Sequence, residues 1–181
     1  MIFNHCLCVI TRVIDRDGLA LMPGAMDRAK LLRPRPTGQA STQASVQVGS
    51  TMYKAVTRQI EVTVVPRFMS ERSSPENGYY FWAYTIEITN RGRETVQLKT
   101  RHWKITDAHG KLQEVRGAGV VGETPVLEPG KSYEYTSGVP LPTPSGFMAG
   151  SYGMETPAGE KFDIEVPAFS LDSSHTARVL N

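Results

Sequence analysis

The chain has 181 residues, with 20 Lys and Arg against 18 Asp and Glu and a net charge of +2. Cations and anions are interspersed instead of forming a dense basic stripe, which argues against specific nucleic-acid binding. No apolar run approaches the roughly 20 residues of a membrane-spanning helix and no secretory signal is evident, so we expect a cytoplasmic protein without a membrane partner.

The first 51 residues differ in composition from the rest of the chain. Of the fifteen aromatic residues, only Phe3 lies in this segment, and packed cores depend on aromatic burial. Residues 33–51 are small and polar, which predicts a flexible linker. Cys6 and Cys8 lack the further ligands that a zinc site requires. We therefore expect residues 1–51 to be an extension that is largely disordered or linker.

Short β-rich runs separated by turn signals follow as far as Leu171. Within them, apolar residues alternate with polar ones, as in strands with one buried face. The predicted strands are Ile60–Val64, Tyr79–Thr89, Glu94–Thr106, Lys111–Val115, Lys131–Val139, Phe147–Glu155 and Phe162–Val166. Seven antiparallel strands without the Cys, Trp, Cys framework of antibody domains predict an all-β, fibronectin type III-like or immunoglobulin-like β-sandwich. We place this domain at residues 52–172 and a C-terminal tail at residues 173–181.

The strand predicted at Glu94–Thr106 changes parity along its length. Val96 and Leu98 occupy even positions, whereas Trp103 and Ile105 occupy odd positions. Because side chains alternate between the two faces of a strand, a regular strand would place these two apolar pairs on opposite faces. The sequence therefore predicts a β-bulge between Lys99 and His102, which would return both pairs to the same face.

Arg116, Gly117, Gly119 and Gly122 belong to a Gly-x-Gly-x-x-Gly string. A dinucleotide-binding fold requires a helix directly behind such a string, but two prolines and a turn follow it here. Two interpretations remain. Backbone N–H groups of the string and Arg116 could bind a phosphate-containing small ligand. Alternatively, the glycines permit positive φ angles and close chain crossing, which we favour because no helix dipole supports an anion.

Candidate metal ligands in the predicted domain are His102 and His109, with Asp107 and Glu114 as carboxylates that could join them. Their spacing does not form a ligand set, so we predict solvated turn residues and no metal. The predicted domain also contains no cysteine, no Gly-x-Ser-x-Gly elbow and no recognisable acid–base pair. We therefore expect no catalytic residues, no cofactor and no enzymatic activity.

Several residues are of the types that concentrate in protein–protein interfaces. The candidate interaction surface consists of Arg101, Tyr133, Tyr135, Pro140, Leu141 and Pro142, and Trp103 and Tyr152 are of the same residue types. The aromatic members could instead fill the core, which must hold for most of them. The loop at residues 140–144 is apolar with restricted φ angles, so it would cost little to order against a partner. Its alternative role is that of a rigid connector between strands.

Several motifs in a fixed order resemble the bacterial ApaG family. They are Tyr80–Ile86, Ile88–Asn90, Val96–Leu98, Arg101–Trp103, Arg116–Gly122, Pro129–Gly130, Tyr133–Gly138, Phe162–Ile164 and Val166–Phe169. The resemblance covers residues 57–171. It implies a fibronectin type III-like sandwich without an established catalytic activity, linked genetically to cobalt and magnesium handling. It also implies likeness to domains of eukaryotic F-box adaptor and polymerase-interacting proteins, which suggests protein binding.

On these grounds we expect a non-enzymatic module that binds a protein partner. A role in cobalt and magnesium homeostasis would then be indirect, through that partner. The alternative is phosphate or nucleotide binding at the glycine string. The sequence leaves the identity of the partner and the oligomeric state open.

Overall fold

The structure, a computed structural model, describes residues 10–11 and 51–173. They form ten strands and two single turns of 3₁₀ helix, Ser70–Arg72 and Pro75–Asn77. The strands are β1 (Ile10–Thr11), β2 (Tyr53–Thr57), β3 (Ile60–Phe68), β4 (Tyr80–Asn90), β5 (Val96–Asp107), β6 (Leu112–Ala118), β7 (Val126–Leu127), β8 (Ser132–Leu141), β9 (Ser145–Glu155) and β10 (Lys161–Asp172). No helix in these two described ranges is long and apolar enough to cross a membrane.

Two antiparallel sheets form a sandwich, which confirms the predicted fold class. The first sheet has the strand order β1-β8-β4-β3-β2. The second has the order β10-β9-β5-β6, with β7 paired to one end of β5. The predictions for residues 33–50 of the linker, for Cys6 and Cys8, and for residues 174–181 of the tail lie outside the described residues.

The core lies between the two sheets and is built from alternate residues of each strand. From β4, Trp82 and Tyr84 point inward and are almost fully buried. Tyr84 meets Trp103 of the second sheet at a ring-centroid distance of 5.7 Å, and Trp103 meets Tyr152 at 5.9 Å. A Cβ on Gly150 would lie 2.7 Å from the Trp103 ring, so glycine at this position makes room for the indole.

The predicted bulge in β5 is present. The pairing of β5 with β9 shifts register between Leu98 and Thr100, so the extra residue is Lys99. Val96 and Leu98 before the shift and Trp103 and Ile105 after it are all buried. The bulge also turns Arg101 toward the gap between the sheets, because Arg101 has the same parity as Trp103.

All seven predicted strands are present, and three further strands, β1, β2 and β7, were not predicted. The hairpin from β2 to β3 turns at Arg58 and Gln59, whose φ angles are +47° and +63°. Strand β10 runs past Pro167 to Asp172, because a register shift after Val166 accommodates the proline.

A buried carboxylate is held by two cations on the outer face of the first sheet. Glu61 is only 8% exposed. Its carboxylate accepts hydrogen bonds from Arg91 Nε and Nη2 at 2.9 and 2.7 Å, and Lys54 Nζ lies 2.6 Å away. The bonds from Arg91 and then Lys54 lower the pKa of Glu61 to about 2. Because the cations come from β2 and from the residue that follows β4, the carboxylate ties these segments to β3.

Replacing Glu61 by Gln removes the charge that Arg91 and Lys54 share, and we expect the free energy of unfolding to fall by about 1 to 2 kcal/mol at neutral pH. The pKa of Glu61 is lower in the folded chain than its ordinary value of 4.5. Its stabilising effect is therefore complete above that value and is lost as the pH falls toward 2. Urea denaturation across this pH range measures the free energy of unfolding of the wild type and of Glu61→Gln.

The difference between wild type and Glu61→Gln should shrink as the pH falls. Glu128→Gln is the matched control, because Glu128 is exposed and makes no ion pair within residues 51–173. A difference that stays constant down to the lowest pH would contradict the role assigned to Glu61.

Candidate functional site

The glycine string forms the end of β6 and a tight turn. Val120 and Glu123 exchange two backbone hydrogen bonds of 2.8 and 2.9 Å. Between them, Val121 and Gly122 have φ angles of +49° and +84°, as in a type I′ turn. The chain then continues extended into β7, so the structure agrees with the exclusion of a dinucleotide-binding helix.

Gly119 lies where two chain segments cross. Its φ angle is +57°, and a Cβ at this position would lie 2.1 Å from the carbonyl oxygen of Glu123. No side chain fits there without moving backbone. Gly122, by contrast, has nothing within 4 Å of an added Cβ, so only its positive φ angle favours glycine.

Arg101 holds the turn from the side of the second sheet. Its Nη1 donates to the carbonyl oxygens of Ala118 at 2.8 Å and Gly119 at 2.7 Å. The guanidinium lies over Gly117, where an added Cβ would be 3.1 Å from it. The half-buried cation is therefore surrounded by carbonyl oxygens of the glycine string and serves to fix the turn.

The donors that a phosphate would need are partly engaged within the protein. Gly119 N donates to Lys99 O at 2.8 Å, and Val120 N donates to Glu123 O. Arg116 lies on the outer face of the second sheet, 71% exposed and 3.4 Å from the Glu114 carboxylate. Within the described turn, the amides left for an anion are those of Val121 and Gly122. Phosphate binding at this string stays a prediction.

The tyrosines named as candidate interface residues point into the sandwich, because the alternation of β8 places them on its inward face. Tyr135 Oη lies 2.6 Å from Tyr152 Oη, and both side chains are buried. Burial raises the pKa of both phenols well above the usual value. Tyr133 donates to Glu123 Oε2 at 3.1 Å. Burial and this carboxylate raise the pKa of Tyr133 to about 12.

These tyrosines, like Trp103, are therefore core residues in this structure and do not present a surface to a partner. The same holds for Leu141, which is 5% exposed. The alternation of side chains along β8 could have predicted this burial, because Tyr133, Tyr135 and Leu141 all lie on the same face of the strand. Arg101 is half-buried at the glycine turn.

Residues 140–144, which we call the proline connector, join β8 to β9 and cross from one sheet to the other. Leu141 and Thr143 are buried. Thr143 Oγ1 donates to Ser145 O at 2.7 Å and accepts from Ala108 N at 3.1 Å. Pro140 and Pro142 remain exposed. The connector is thus anchored, as expected for a rigid link between strands. It also exposes two prolines, as expected for a loop that contacts a partner.

The residues considered as metal ligands have structural partners. His102 Nε2 lies 2.7 Å from Glu114 Oε2, and this bond lowers the pKa of Glu114. Asp107 Oδ1 accepts from the amides of His109 at 2.9 Å and Lys111 at 3.0 Å, which closes the β5–β6 turn. Within residues 10–11 and 51–173, no group of three or more His, Cys, Asp or Glu residues could hold a metal ion.

Sequence reasoning missed a cleft of about 240 Å³ at the end of the sandwich that carries the β2–β3 turn. Arg58, Arg93 and Phe162 are among the residues that line it. Arg58 Nη1 lies 2.5 Å from Glu160 Oε1, and its guanidinium lies 4.7 Å from the Phe162 ring centroid. No Gly or Asn marks the tight Arg58-Gln59 turn, so the sequence carried no signal for this cleft.

Several known proteins are similar to this chain in sequence or in fold. The family model described as ApaG domain matches residues 70–156. The chain is 70% identical over 130 residues to Protein ApaG of Rhodopseudomonas palustris strain TIE-1, covering 72% of this chain and 100% of that protein. It is 63% identical over the same length to Protein ApaG of Azorhizobium caulinodans, with the same two coverages. The crystal structure of the Bordetella pertussis protein named ApaA superimposes with a TM-score of 0.63 at 46% identity, covering 65% of this chain and 95% of that one.

The two turn glycines give a matched pair of variants. Gly119→Ala places a Cβ against the Glu123 carbonyl at a positive φ angle, and we expect the free energy of unfolding to fall by about 3 kcal/mol. Gly122→Ala meets only the unfavourable φ angle, so we expect a loss of about 1 kcal/mol. Urea denaturation measures the free energy of unfolding of each variant. An equal decrease in the two variants would contradict the close chain crossing at Gly119.

Titration with inorganic phosphate and pyrophosphate, followed by amide chemical shifts, tests the anion interpretation. We expect the Gly119 and Val120 signals to stay unmoved, because both N–H groups already donate to backbone carbonyls. Saturable shifts at Gly119 and Val120 would contradict that geometry. Saturable shifts confined to Val121 and Gly122 would support a phosphate site on the exposed side of the turn.

Proposed function

The chain belongs to the ApaG family, and on that premise we propose that residues 52–172 act as a non-enzymatic module that binds another protein. The proposal concerns the end of the sandwich that carries the proline connector. There, exposed apolar groups stand on a backbone that other contacts hold in place. A partner that docks on such a surface does not have to order it first.

The observation that carries the proposal is how the connector is anchored. Buried Leu141 and the two hydrogen bonds of Thr143 fix the chain on either side of Pro142. Tyr79, 37% exposed, follows Gly78, whose added Cβ would lie 3.7 Å from Pro142 O. Tyr79 and Pro142 are therefore both exposed on adjacent segments at this end of the sandwich. Rigid aromatic groups of this kind supply much of the binding energy in protein interfaces.

The chemistry of the polar groups supports a role without catalysis. Arg101 donates to carbonyl oxygens of the glycine string, and Glu61 is neutralised by Arg91 and Lys54. The phenols of Tyr135 and Tyr152 pair with each other and have pKa values raised by burial. Each of these groups is engaged in a contact within the protein.

A role in cobalt and magnesium homeostasis is proposed to be indirect, exerted through the protein that the module binds. The same proposal places the protein in the cytoplasm, where such a partner would be met. The phosphate interpretation of the glycine string is the alternative function, and the amide titration described above decides it.

Affinity capture from an extract of the protein's own cells tests the proposal. The double variant Tyr79→Lys, Pro142→Lys should lose the captured partner by about tenfold, because two cations would replace the apolar surface. Quantitative mass spectrometry of the captured proteins gives the measurement.

Val126→Lys is the matched control. Val126 is 57% exposed and lies beside β5 at the opposite end of the sandwich, so the same chemical change there should leave capture intact. Equal recovery of every captured protein by wild type and by the double variant would refute binding at the proline connector.

A further inference from the structure

One edge of the first sheet is long and paired over only a short stretch. On one side, β8 pairs with β4 along the whole of Ser132–Leu141. On its other side, Thr136 and Tyr135 pair with Ile10 and Thr11 of β1. Within the described residues, no other strand lies beside this edge of β8. Long uncovered edges invite aggregation, and natural proteins usually cover them with a further segment.

The short pairing of β1 fixes a register for the residues around it. Ile10 lies opposite Thr136 and Thr11 lies opposite Tyr135, in antiparallel orientation. Each step forward along β1 is therefore one step backward along β8. Carried along the edge, this register sets residues 7–14 opposite residues 139–132. The match ends one residue before Pro140, which has no N–H group to donate.

The sequence of residues 7–14 suits a strand in this register. Five of these residues are β-branched, and the segment contains neither Gly nor Pro. Its odd-numbered positions lie opposite the odd-numbered residues of β8, which are buried. Three of these four positions are apolar, namely Leu7, Val9 and Val13. A shift by one residue would replace them with a set that contains Arg12, so the alternation favours the register of β1.

Charge favours the same register. Glu134 on β8 lies directly opposite Glu87 on β4, and within residues 51–173 neither carboxylate forms an ion pair. Like charges in opposite positions destabilise a sheet, so a cation is favoured on the far side of Glu134. In the register of β1 that position belongs to Arg12. Just beyond the segment, Asp15 falls opposite Lys131, a second match of opposite charges.

We propose that the edge of β8 is a strand-addition site and that its occupant is residues 7–14 of this chain, paired in the register of β1. Main-chain hydrogen bonds hold the added strand, while its apolar alternation and the pair of Arg12 with Glu134 select the register. A segment N-terminal to the sandwich domain thus forms the outermost strand of its first sheet. This site lies along β8, so the inference goes beyond the proposed function and does not depend on it.

The connection between this segment and the sandwich permits the pairing. Strands β1 and β2 lie at opposite edges of the first sheet, which separates them by four strand spacings, or about 19 Å. Residues 15–52 join the two, and a chain of nearly 40 residues can reach several times that distance. Because site and occupant belong to one chain, the pairing is intramolecular and does not depend on protein concentration.

Disulfide trapping in the full chain tests the register. Replacing Cys6 and Cys8, the only cysteines, by Ser gives a background without thiols. Directly opposite residues of an antiparallel pair have Cα atoms about 4.5 to 5.5 Å apart, which is within disulfide range. We expect Arg12→Cys with Glu134→Cys to form an intramolecular disulfide under mild oxidation, identified by mass spectrometry of its peptides.

Arg12→Cys with Glu87→Cys is the matched control, because Glu87 lies one strand further from β1. Its Cα would be about 10 Å away, beyond the reach of a disulfide. Equal disulfide yields in the two variants, or no disulfide with Glu134→Cys, would overturn the proposal. Disulfide-linked dimers would show that a second copy supplies the strand, which would overturn occupancy by the chain's own segment.

Hydrogen exchange of the β8 amides tests the charge pair in the full chain. Arg12→Glu brings a third carboxylate into the row of Glu87 and Glu134, so we expect the amides on this edge of β8 to exchange about tenfold faster. Adding Glu134→Arg should return the exchange rates to near the wild-type values, because the new cation then lies between two carboxylates. Such restoration distinguishes a direct contact from an indirect effect of either change.

Arg67→Glu makes the same change of charge on an exposed residue of β3, in the row of Ala83 and Gly138. That row lies four residues along β8 from Glu134, so we expect the exchange rates of the edge amides to stay as in the wild type. Near-ultraviolet circular dichroism checks that each variant keeps the wild-type core. Wild-type exchange rates in Arg12→Glu, or a double variant that exchanges as fast as Arg12→Glu, would overturn the proposal.

Discussion

The bulge at Lys99 is the constraint on which the rest of the second sheet depends. Before it, Val96 and Leu98 face the core; after it, Trp103 and Ile105 do. Without the extra residue, one pair would have to face water, at a cost of several kcal/mol for two large side chains. The same change of parity brings Arg101 inward, where its guanidinium bonds the carbonyl oxygens of the glycine string. One inserted residue therefore fixes both the core and the turn that follows β6.

The glycine string is explained by this arrangement. Gly117 leaves space for the Arg101 guanidinium, Gly119 allows the Glu123 backbone to cross at short distance, and Gly122 completes a turn with positive φ angles. Each glycine thus has a steric or conformational reason that involves no ligand. A pattern that is typical of nucleotide-binding loops can arise from close packing at the edge of a β-sandwich.

Periodicity predicted the seven main strands and the bulge, because each has a local signature in the sequence. The same periodicity could have predicted that Tyr133 and Tyr135 are buried, because both lie on the same face of β8 as Val139. Their residue type had suggested an interface, whereas their position on the strand places them in the core. The Arg58-Gln59 turn and the cleft beside it have no local signature, because non-glycine residues adopt positive φ angles there. Contacts such as Glu61 with Arg91 join residues far apart in the chain, which no local pattern reveals.

The two edges of the second sheet are protected against pairing with another strand. On β10, Pro167 lacks an N–H group and the register shifts after Val166, so this edge cannot offer a continuous ladder to another strand. On β6, exposed charges at Glu114 and Arg116 are separated by single residues, and charged edge strands discourage pairing.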